Sequence, residues 1–293
     1  MSDFLNLLLL PALVYGCIYA LVATGFNLLE KSTKILNFAH GSLILWAPLG
    51  GLVLANLWGL PGVVGLAGGV VLGVVLGLVV ERIAIRPFIG SGDALPWVLS
   101  TLGASLILAQ LALLPYGGEA EAFPYSLALT PSHVGPLVLS MQDVLLFGAT
   151  IAVALILYLL YMKTRLGRML TAVAEDFDGA RVLGISTSRM SQVAMVASAL
   201  TAAVAGLILA PLLLVSPDLG LSLTFTGFVA AALGGLGSLR GGFVGGITVG
   251  FVIQLTAQHL GSIWTNATLF GVLLVVLLIR PWGVFGRRPV RQV

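Results

Sequence analysis

The first polar residues that could contact a solute open the second of several long apolar segments. They read Asn37-Phe38-Ala39-His40-Gly41-Ser42. Asparagine is a good helix cap, the exposed amides of a helix start attract anionic groups, and histidine can act as a ligand contact or a protonation switch. A histidine that only hydrogen-bonds to a neighbouring helix is the alternative. We therefore take Asn37, His40 and Gly41 as candidates for a solute pathway or its inner gate.

A second candidate group is a glycine-rich stretch late in the chain. Its candidate members for the pathway or gate are Gly234, Gly235, Gly237 and Ser238. The stretch can form a tight turn between two membrane-spanning helices. It can also form a re-entrant or broken helix, which is tolerated where protein or a water-filled cavity covers the backbone.

A third group lies in the charged segment 163–189. Apolar residues recur there at steps of three and four, which predicts a short amphipathic helix; they are Leu170, Val173, Phe177 and Ala180. Gly184 can end this helix, and Ser186 or Ser188 can cap the helix that follows. Such a helix could dock into a soluble motor domain, or it could lie on the lipid surface.

Other kinds of chemistry lack the residues that they need. The sequence has no G-x-x-x-x-G-K-[ST] run to bind nucleotide phosphates, and no Cys pair or H-E-x-x-H run to bind a metal. Asp93, Asp143 and Asp218 fall near the ends of apolar segments, whereas a proton-coupled carrier normally needs a carboxylate deep in the membrane. We expect no enzyme activity, metal or cofactor in this chain, and an ion-coupled carrier is a less favoured alternative.

The elements that must position these residues are membrane helices. Of the 293 residues, 59% are hydrophobic and 9% are charged, whereas a soluble domain carries about 25% charged residues. Apolar segments of about 20 residues, long enough to span a bilayer, lie at 4–28, 37–57, 61–80, 95–115, 142–162, 190–214, 221–239, 242–260 and 265–280. We predict an all-α, polytopic transmembrane bundle of eight or nine spans that forms one domain, 1–293.

The positive charges predict the orientation of this bundle. With nine spans and the N-terminus outside, all 14 Lys and Arg residues fall on one side, which the positive-inside rule assigns to the cytoplasm. The C-terminus is then inside. The segment 116–141 becomes an extracytoplasmic loop and 163–189 a cytoplasmic one. The net charge of +3 then reflects topology and not nucleic-acid binding.

Glycine spacing predicts where the helices pack closely. Two sets of glycines repeat every four residues, so each set lies on one helix face. The first set is Gly65, Gly69, Gly73 and Gly77, and the second is Gly242, Gly246 and Gly250. Because glycine lets membrane helices approach closely, we predict that both sets are packing surfaces. A ligand pathway along the same faces is the alternative.

Four motifs extend in order from residue 16 to residue 286. They are Gly16-x-x-Tyr19-Ala20-Leu21-x-Ala23-x-Gly25 with Asn37-Phe38-Ala39-His40-Gly41; Gly167-Arg168 … Ala172-x-Ala174-Glu175-Asp176 … Ala180-Arg181-x-Leu183-Gly184-Ile185; Gly234-Gly235-Leu236-Gly237-Ser238-x-x-Gly241; and Arg280-Pro281-x-Gly283-x-Phe285-Gly286. Together they resemble the permeases of branched-chain amino-acid ABC importers. The chain length fits the shorter of the two permeases in such systems.

This resemblance implies a hetero-oligomer in the cytoplasmic membrane of a bacterium or archaeon. The chain would pair with a second, homologous permease, and two ATPase subunits carrying ATP and Mg²⁺ would bind its cytoplasmic face. An extracytoplasmic binding protein would deliver leucine, isoleucine or valine. Because urea and amide importers share the same motifs, those solutes are the alternative.

The resemblance also implies which residues couple transport to ATP hydrolysis. The residues that match the family's ATPase-contacting loop are Arg168, Ala174, Glu175, Asp176, Ala180, Gly184 and Ile185. Two positions depart from the family's pattern. Thr171 stands where relatives often carry a basic residue, and Phe177 interrupts a stretch that is usually polar.

Overall fold

A computed structural model describes residues 4–59, 61–90, 93–116, 132–134, 137–211 and 217–286. These residues form eleven α-helices: α1 (Leu10–Thr33), α2 (His40–Trp58), α3 (Gly62–Val80), α4 (Ala94–Tyr116), α5 (Met141–Lys163), α6 (Arg165–Glu175), α7 (Phe177–Val182), α8 (Thr187–Leu209), α9 (Pro217–Gly234), α10 (Leu239–His259) and α11 (Thr265–Ile279). Short π-helical segments lie at Phe4–Leu9 and Glu81–Ile85, and short 3-10 helices lie at Arg86–Phe88 and Ser262–Trp264. Strands β1 (Ser132–Val134) and β2 (Leu137–Leu139) form an antiparallel hairpin.

The all-α prediction holds for the described residues except at this hairpin, which falls within the predicted outer loop 116–141. Each predicted span overlaps one helix, namely α1–α5 or α8–α11. Seven helical stretches in the described part of the chain are long and apolar enough to cross a membrane, and they lie in α1, α3, α4, α5, α8, α10 and α11. Residues 117–131 and 135–136 of the predicted loop lie outside the described residues.

Polar side chains set several of the helix boundaries. At the start of α5, the Ser140 hydroxyl accepts from the Asp143 amide at 3.2 Å, and the Asp143 carboxylate accepts from the Ser140 amide at 2.9 Å. This reciprocal pair is a capping box. Ser186, one of the two predicted caps, caps the start of α8 by accepting from the Arg189 amide, and Ser238 caps the start of α10 by accepting from the Gly241 amide. Asp143 therefore serves as a capping residue at a helix start.

The central element of the bundle is α1. It packs against α10, α8, α9 and α5, and its residues from Ala20 to Leu29 are all buried. At the opposite extreme, α11 buries only Leu269 and Leu273, and Leu274 and Leu278 are exposed. A helix that is apolar on an exposed face requires a lipid or protein neighbour.

The two predicted glycine faces lie at helix interfaces. In the first face, Gly65 and Gly69 lie against α2, whereas a Cβ atom on Gly77 would lie 3.1 Å from Ala199 and Met195 of α8. In the contact of α3 with α2, a Cβ atom on Gly69 would meet the Ala47 carbonyl oxygen and would lie 2.8 Å from the Gly51 Cα atom. A Cβ atom on Gly65 would lie 2.7 Å from the Gly51 carbonyl oxygen. At Gly73 the nearest atom would be 3.9 Å away. The face is therefore tight at Gly65 and Gly69 but not at Gly73.

The second glycine face brings α10 onto α1. Cβ atoms on Gly246 and Gly250 would collide with the backbone of Ala20 and Gly16 respectively. At Gly242 the nearest atom of α1 would be 3.1 Å away. Gly16 also belongs to the first sequence motif, so that motif contributes to the packing of the central helix.

The contrast between Gly69 and Gly73 gives a test of the packing. We expect Gly69→Ala to lower the free energy of unfolding by about 1–3 kcal/mol, because the new methyl group must push two helix backbones apart. Gly73→Ala, on the same face and one turn away, should leave stability within about 0.5 kcal/mol of the wild type. Thermal unfolding of both variants in one detergent measures the difference. Equal stability of the two variants would contradict the described contact.

Candidate functional site

The segment that opens α2 is held inside the bundle. After α1 ends, Lys34 adopts a left-handed conformation with φ of 60°, and the chain turns back toward the bundle interior. The side-chain oxygen of Asn37 accepts from the Ala39 amide at 3.0 Å, and α2 begins at His40. Asn37 thus fixes the turn that precedes α2. The residue directly before the helix is Ala39, so Asn37 is not the helix cap that the sequence predicted. Both Asn37 and His40 are buried.

His40 connects α2 with α1 and α8. Its Nδ1 atom lies 3.2 Å from the Ser198 hydroxyl, and that hydroxyl donates to the Gly25 carbonyl at 2.8 Å. A hydroxyl has one hydrogen to donate. With that hydrogen on the Gly25 carbonyl, Ser198 accepts from His40, and this arrangement corresponds to the imidazole tautomer that carries its proton on Nδ1. A Cβ atom on Gly25 would collide with the imidazole, so Gly25 provides the space that His40 occupies.

The amides at the start of α2 are used by the protein itself. The Gly41 amide donates to the Thr224 hydroxyl of α9 at 3.1 Å, and Thr224 donates to the Gly220 carbonyl at 2.8 Å. A Cβ atom on Gly41 would collide with that same carbonyl oxygen. The Ala39 amide is likewise bonded, to the Asn37 side chain, so neither of these two amides is free to bind an anion.

The glycine-rich stretch forms a tight turn between α9 and α10, which is the first of the two predicted alternatives. Gly235 and Gly237 have φ of 112° and 71°, a region that residues with a Cβ rarely adopt. The Asn27 amide group of α1 holds this turn. Its nitrogen donates to the Ser238 carbonyl at 2.8 Å, and its oxygen accepts from the Gly237 amide at 3.1 Å.

The last motif in the sequence packs against this turn. The amides of Val284 and Phe285 donate to the carbonyls of Leu233 and Gly234 at 3.0 and 2.8 Å. A Cβ atom on Gly235 would meet the backbone of Gly286. The third and fourth motifs, which are about 40 residues apart in sequence, therefore form one structural unit with Asn27.

The segment 163–189 contains two short helices where the sequence predicted one. Asp176 interrupts the helix with φ of −145° and ψ of 103°, and its carboxylate accepts from the Gly179 amide at 2.9 Å as the cap of α7. The prediction missed this break because an aspartate that caps a second helix also fits the polar face of one continuous helix. Of the predicted apolar stripe, Leu170, Val173 and Ala180 are buried and Phe177 is partly buried.

Gly184 ends α7 as predicted, with φ of 81°. The Ile185 amide donates to the Ala180 carbonyl, and the Gly184 amide donates to the Arg181 carbonyl, both at 3.0 Å. These two bonds form a Schellman motif, which favours glycine at this position. The spacing of Ala180, Gly184 and Ile185 in the second motif is the spacing that this helix end requires.

The outward side of α6 and α7 is exposed to solvent. Arg168, Glu175 and Asp176 are exposed, and Ala174 is half-buried. Val182 and Leu183 are 87% and 79% exposed. Two neighbouring apolar side chains are therefore exposed at the C-terminal end of α7.

Sequence reasoning missed two buried polar contacts. One is the Asn27 contact with the α9–α10 turn, and the other joins Glu81 to Arg86 and Ser191. Glu81 is fully buried. A carboxylate at the end of an apolar span, followed five residues later by an arginine, is a signal that could have identified this second contact.

Comparison with known proteins identifies the family of this chain. Residues 8–278 match the family described as the branched-chain amino acid transport system permease component. The chain belongs to this family. The resemblance inferred from the four motifs is therefore confirmed, and this permease is a multi-pass protein of the cytoplasmic membrane.

Two relatives and one solved structure illustrate the similarity. The permease is 30% identical over 298 residues to the high-affinity branched-chain amino acid transport system permease protein BraD of Pseudomonas aeruginosa. The alignment covers 97% of each chain. It is 30% identical over 300 residues to the permease protein LivH of Escherichia coli, which covers 95% of this chain and 94% of LivH. A metal-chelate type ABC transporter, solved in an inward-facing conformation, has a similar fold with a TM-score of 0.51 and 17% sequence identity. The superposition covers 94% of this chain and 90% of the transporter chain.

The Asn27 contact provides a test of the unit at the α9–α10 turn. Asn27→Asp keeps the acceptor for Gly237 but replaces the donor to Ser238 with an oxygen, so two acceptors face each other in a buried site. We expect the free energy of unfolding of the permease to fall by about 1–3 kcal/mol for each group left unpaired. Asn266→Asp, at an exposed position in the first turn of α11, is the control and should be neutral. A denaturant titration that finds the two variants equally stable would contradict the Asn27 contact.

Proposed function

We propose that this chain is the membrane-spanning permease of an ATP-driven importer for leucine, isoleucine or valine. The observation that carries this proposal is membership of the branched-chain amino acid permease family over residues 8–278. Relatives that match at least 94% of their own length are named high-affinity branched-chain amino acid permeases. Related motifs occur in urea and amide importers, so these solutes are the second candidate class.

The proposed assembly contains five chains. This permease pairs with a second homologous permease, two ATPase subunits bind the cytoplasmic face, and an extracytoplasmic binding protein delivers the solute. ATP and Mg²⁺ bind to the ATPases, because this sequence has no run that could bind nucleotide phosphates. The binding protein docks on the outer face, at the side of the bundle that carries the strands β1 and β2.

The proposed topology has nine spans, with the N-terminus outside and the C-terminus inside. Seven helices are long and apolar enough to span the membrane. Helix α2, with 19 residues, and the apolar part of α9, Leu219–Gly234, complete the nine spans. Exposed arginines then lie together at the inner ends, at Arg82, Arg168, Arg181 and Arg240. This distribution satisfies the positive-inside rule.

The residues that contact the ATPase lie on α6 and α7. Buried Gly167, Leu170, Val173 and Ala180 anchor the two helices to the bundle. The exposed charged residues and the Val182–Leu183 pair face the cytoplasm. Apolar residues held at a helix tip by the Gly184 turn can enter a groove of a partner, and the surrounding charges can fix the orientation.

The proposed transport mechanism is alternating access at the boundary between this chain and its partner permease. The Asn37–Ser42 segment packs against α1, α8 and α9, so its polar groups link helices that must move relative to one another. We place the inner gate at this segment and at the α9–α10 turn. ATP-driven approach of the two ATPases moves α6 and α7, and the spans that contact them follow.

Reconstitution of the complete importer tests the proposed function. Proteoliposomes that contain both permeases, the ATPases and the binding protein should accumulate labelled leucine, isoleucine or valine only when ATP is supplied to the ATPase side. Uptake of urea in place of these amino acids would support the second candidate class. Accumulation of any of these solutes against a gradient by the permease alone, without nucleotide, would contradict the proposal.

Charge substitution at the α7 tip tests the docking surface. We expect Val182→Glu combined with Leu183→Glu to reduce ATPase binding about tenfold or more, because an interface anchor commonly contributes more than about 2 kcal/mol. The fold should be unchanged since both side chains are exposed. Leu260→Glu introduces a charge at an exposed position just after the opposite end of α10 and should leave ATPase binding intact. Co-purification with the ATPase measures both; equal binding of the two variants would contradict the assignment.

A further inference from the structure

Glu81 makes the most strongly bonded ionic contact within the described residues. Its carboxylate is fully buried and receives two bonds from the Arg86 guanidinium, at 2.7 Å from Nη2 and 3.2 Å from Nε. The Ser191 hydroxyl of α8 donates a third bond at 2.8 Å. All three bonds use the two oxygens of one carboxylate, so the inner end of α3 is joined to the first turns of α8.

A local change in helix type makes this contact possible. In an α-helix, residues five apart point about 140° away from each other and cannot pair. From Glu81 to Ile85 the backbone is π-helical, and the Arg86 amide donates to the Glu81 carbonyl. This five-residue step brings Arg86 beneath Glu81. Short π-helical segments cost stability relative to α-helix, and they are frequent at functional sites.

The chain that follows Arg86 lies close to the proposed ATPase-binding helices. A Cβ atom on Gly90, four residues after Arg86, would lie 3.7 Å from the Phe177 ring of α7. Helix α8 follows α7 after the Gly184 turn, and Ser191 lies only four residues after the start of α8. The α6–α7 unit is therefore connected to the inner end of α3 in two ways. Phe177 of α7 lies near Gly90, and Ser191 of the following helix bonds to Glu81.

One face of α8 contacts both Glu81 and His40. Ser191 and Ser198 are seven residues apart, which is about two helical turns or 10 Å on one face. Ser198 bonds to His40, and Met195 between them lies at the Asn37 amide group. Helix α3 in turn packs tightly against α2 through Gly65 and Gly69.

We propose that Glu81 is a positioning residue that makes α3 follow the movement of α6, α7 and α8. The inference rests on the proposed function, because it assigns a role within the same importer. A shift of about 1–2 Å at a subunit interface would break a 2.8 Å hydrogen bond unless the partner helix moved too. Arg86 lies on the same segment as Glu81 and stays bonded to it, but loss of the Ser191 bond would remove one of the three hydrogen bonds of a fully buried carboxylate, which is unfavourable. Movement of α3 with α8 avoids this loss. Glu81 thereby transmits the motion of the ATPase-binding helices to α3, α2 and the proposed gate.

The test measures uptake and ATP hydrolysis in the same proteoliposomes of the complete importer, with labelled leucine, isoleucine, valine and urea. The variant Glu81→Leu with Arg86→Leu removes both charges and the acceptor of the Ser191 hydroxyl together, so no unpaired buried charge remains. Ser191→Ala removes only the link to α8. Arg82→Gln, at an exposed position in the same π-helical segment, is the matched control.

We expect the double variant to assemble and hydrolyse ATP but to import at least about fivefold less solute per ATP, within the range by which residues along a coupling route act. Ser191→Ala should lower the ratio about twofold or more, and Arg82→Gln should keep the wild-type ratio. A role in stability alone would lower the amount of assembled complex without changing solute imported per ATP.

Three results would overturn the inference. The first is a wild-type ratio in both the double variant and Ser191→Ala, and the second is an equal loss in the Arg82→Gln control. The third is failure of both test variants to assemble, which would show that the contact only maintains the fold. If the wild-type complex imports none of the tested solutes, the proposed function fails and the inference falls with it. If it imports normally, any of the three results overturns the role of Glu81 alone.

Discussion

The absence of water inside a bilayer is the constraint on which the rest of this structure depends. A polar group there must find its partner within the protein, and the buried polar side chains of the permease illustrate how this is done. Asn27 bonds to a turn more than 200 residues away. The Ser198 hydroxyl forms hydrogen bonds with a backbone carbonyl and with His40. Both oxygens of the Glu81 carboxylate accept hydrogen bonds. The Asn27, Ser198 and Ser191 bonds each join segments that are distant in sequence.

The same constraint explains why glycine is so frequent in this chain. Lipid tails are as apolar as leucine, so burial of apolar surface drives helix association only weakly, and close backbone packing must contribute instead. Gly69 brings α3 to the backbone of α2, and Gly246 and Gly250 bring α10 to α1. The polar contacts then specify which helices are neighbours. In the proposed importer, these contacts also determine which helices move together.

The sequence predicted the fold well and the polar contacts poorly. Apolar segments of about 20 residues identified every long helix because length and hydropathy are local properties. The motifs identified the family because four short runs occurred in order. The break at Asp176 was missed, since a capping aspartate also fits one continuous polar face. The equal spacing of the glycines could not show that Gly69 is tight and Gly73 is not, because that depends on the side chains of α2. The partners of Asn27 and Glu81 depend on tertiary structure in the same way.

The central claim is that an external motor moves this bundle through α6 and α7. In that account, α3 moves with α8, while the α9–α10 turn stays with α1 through Asn27. The most direct measurement is the distance between spin labels at Ile83 and Leu236, which are exposed on these two units, in the assembled importer without nucleotide and with trapped ATP. The account predicts a shift of about 2 Å or more between the two states. An identical distance distribution in both states would contradict it.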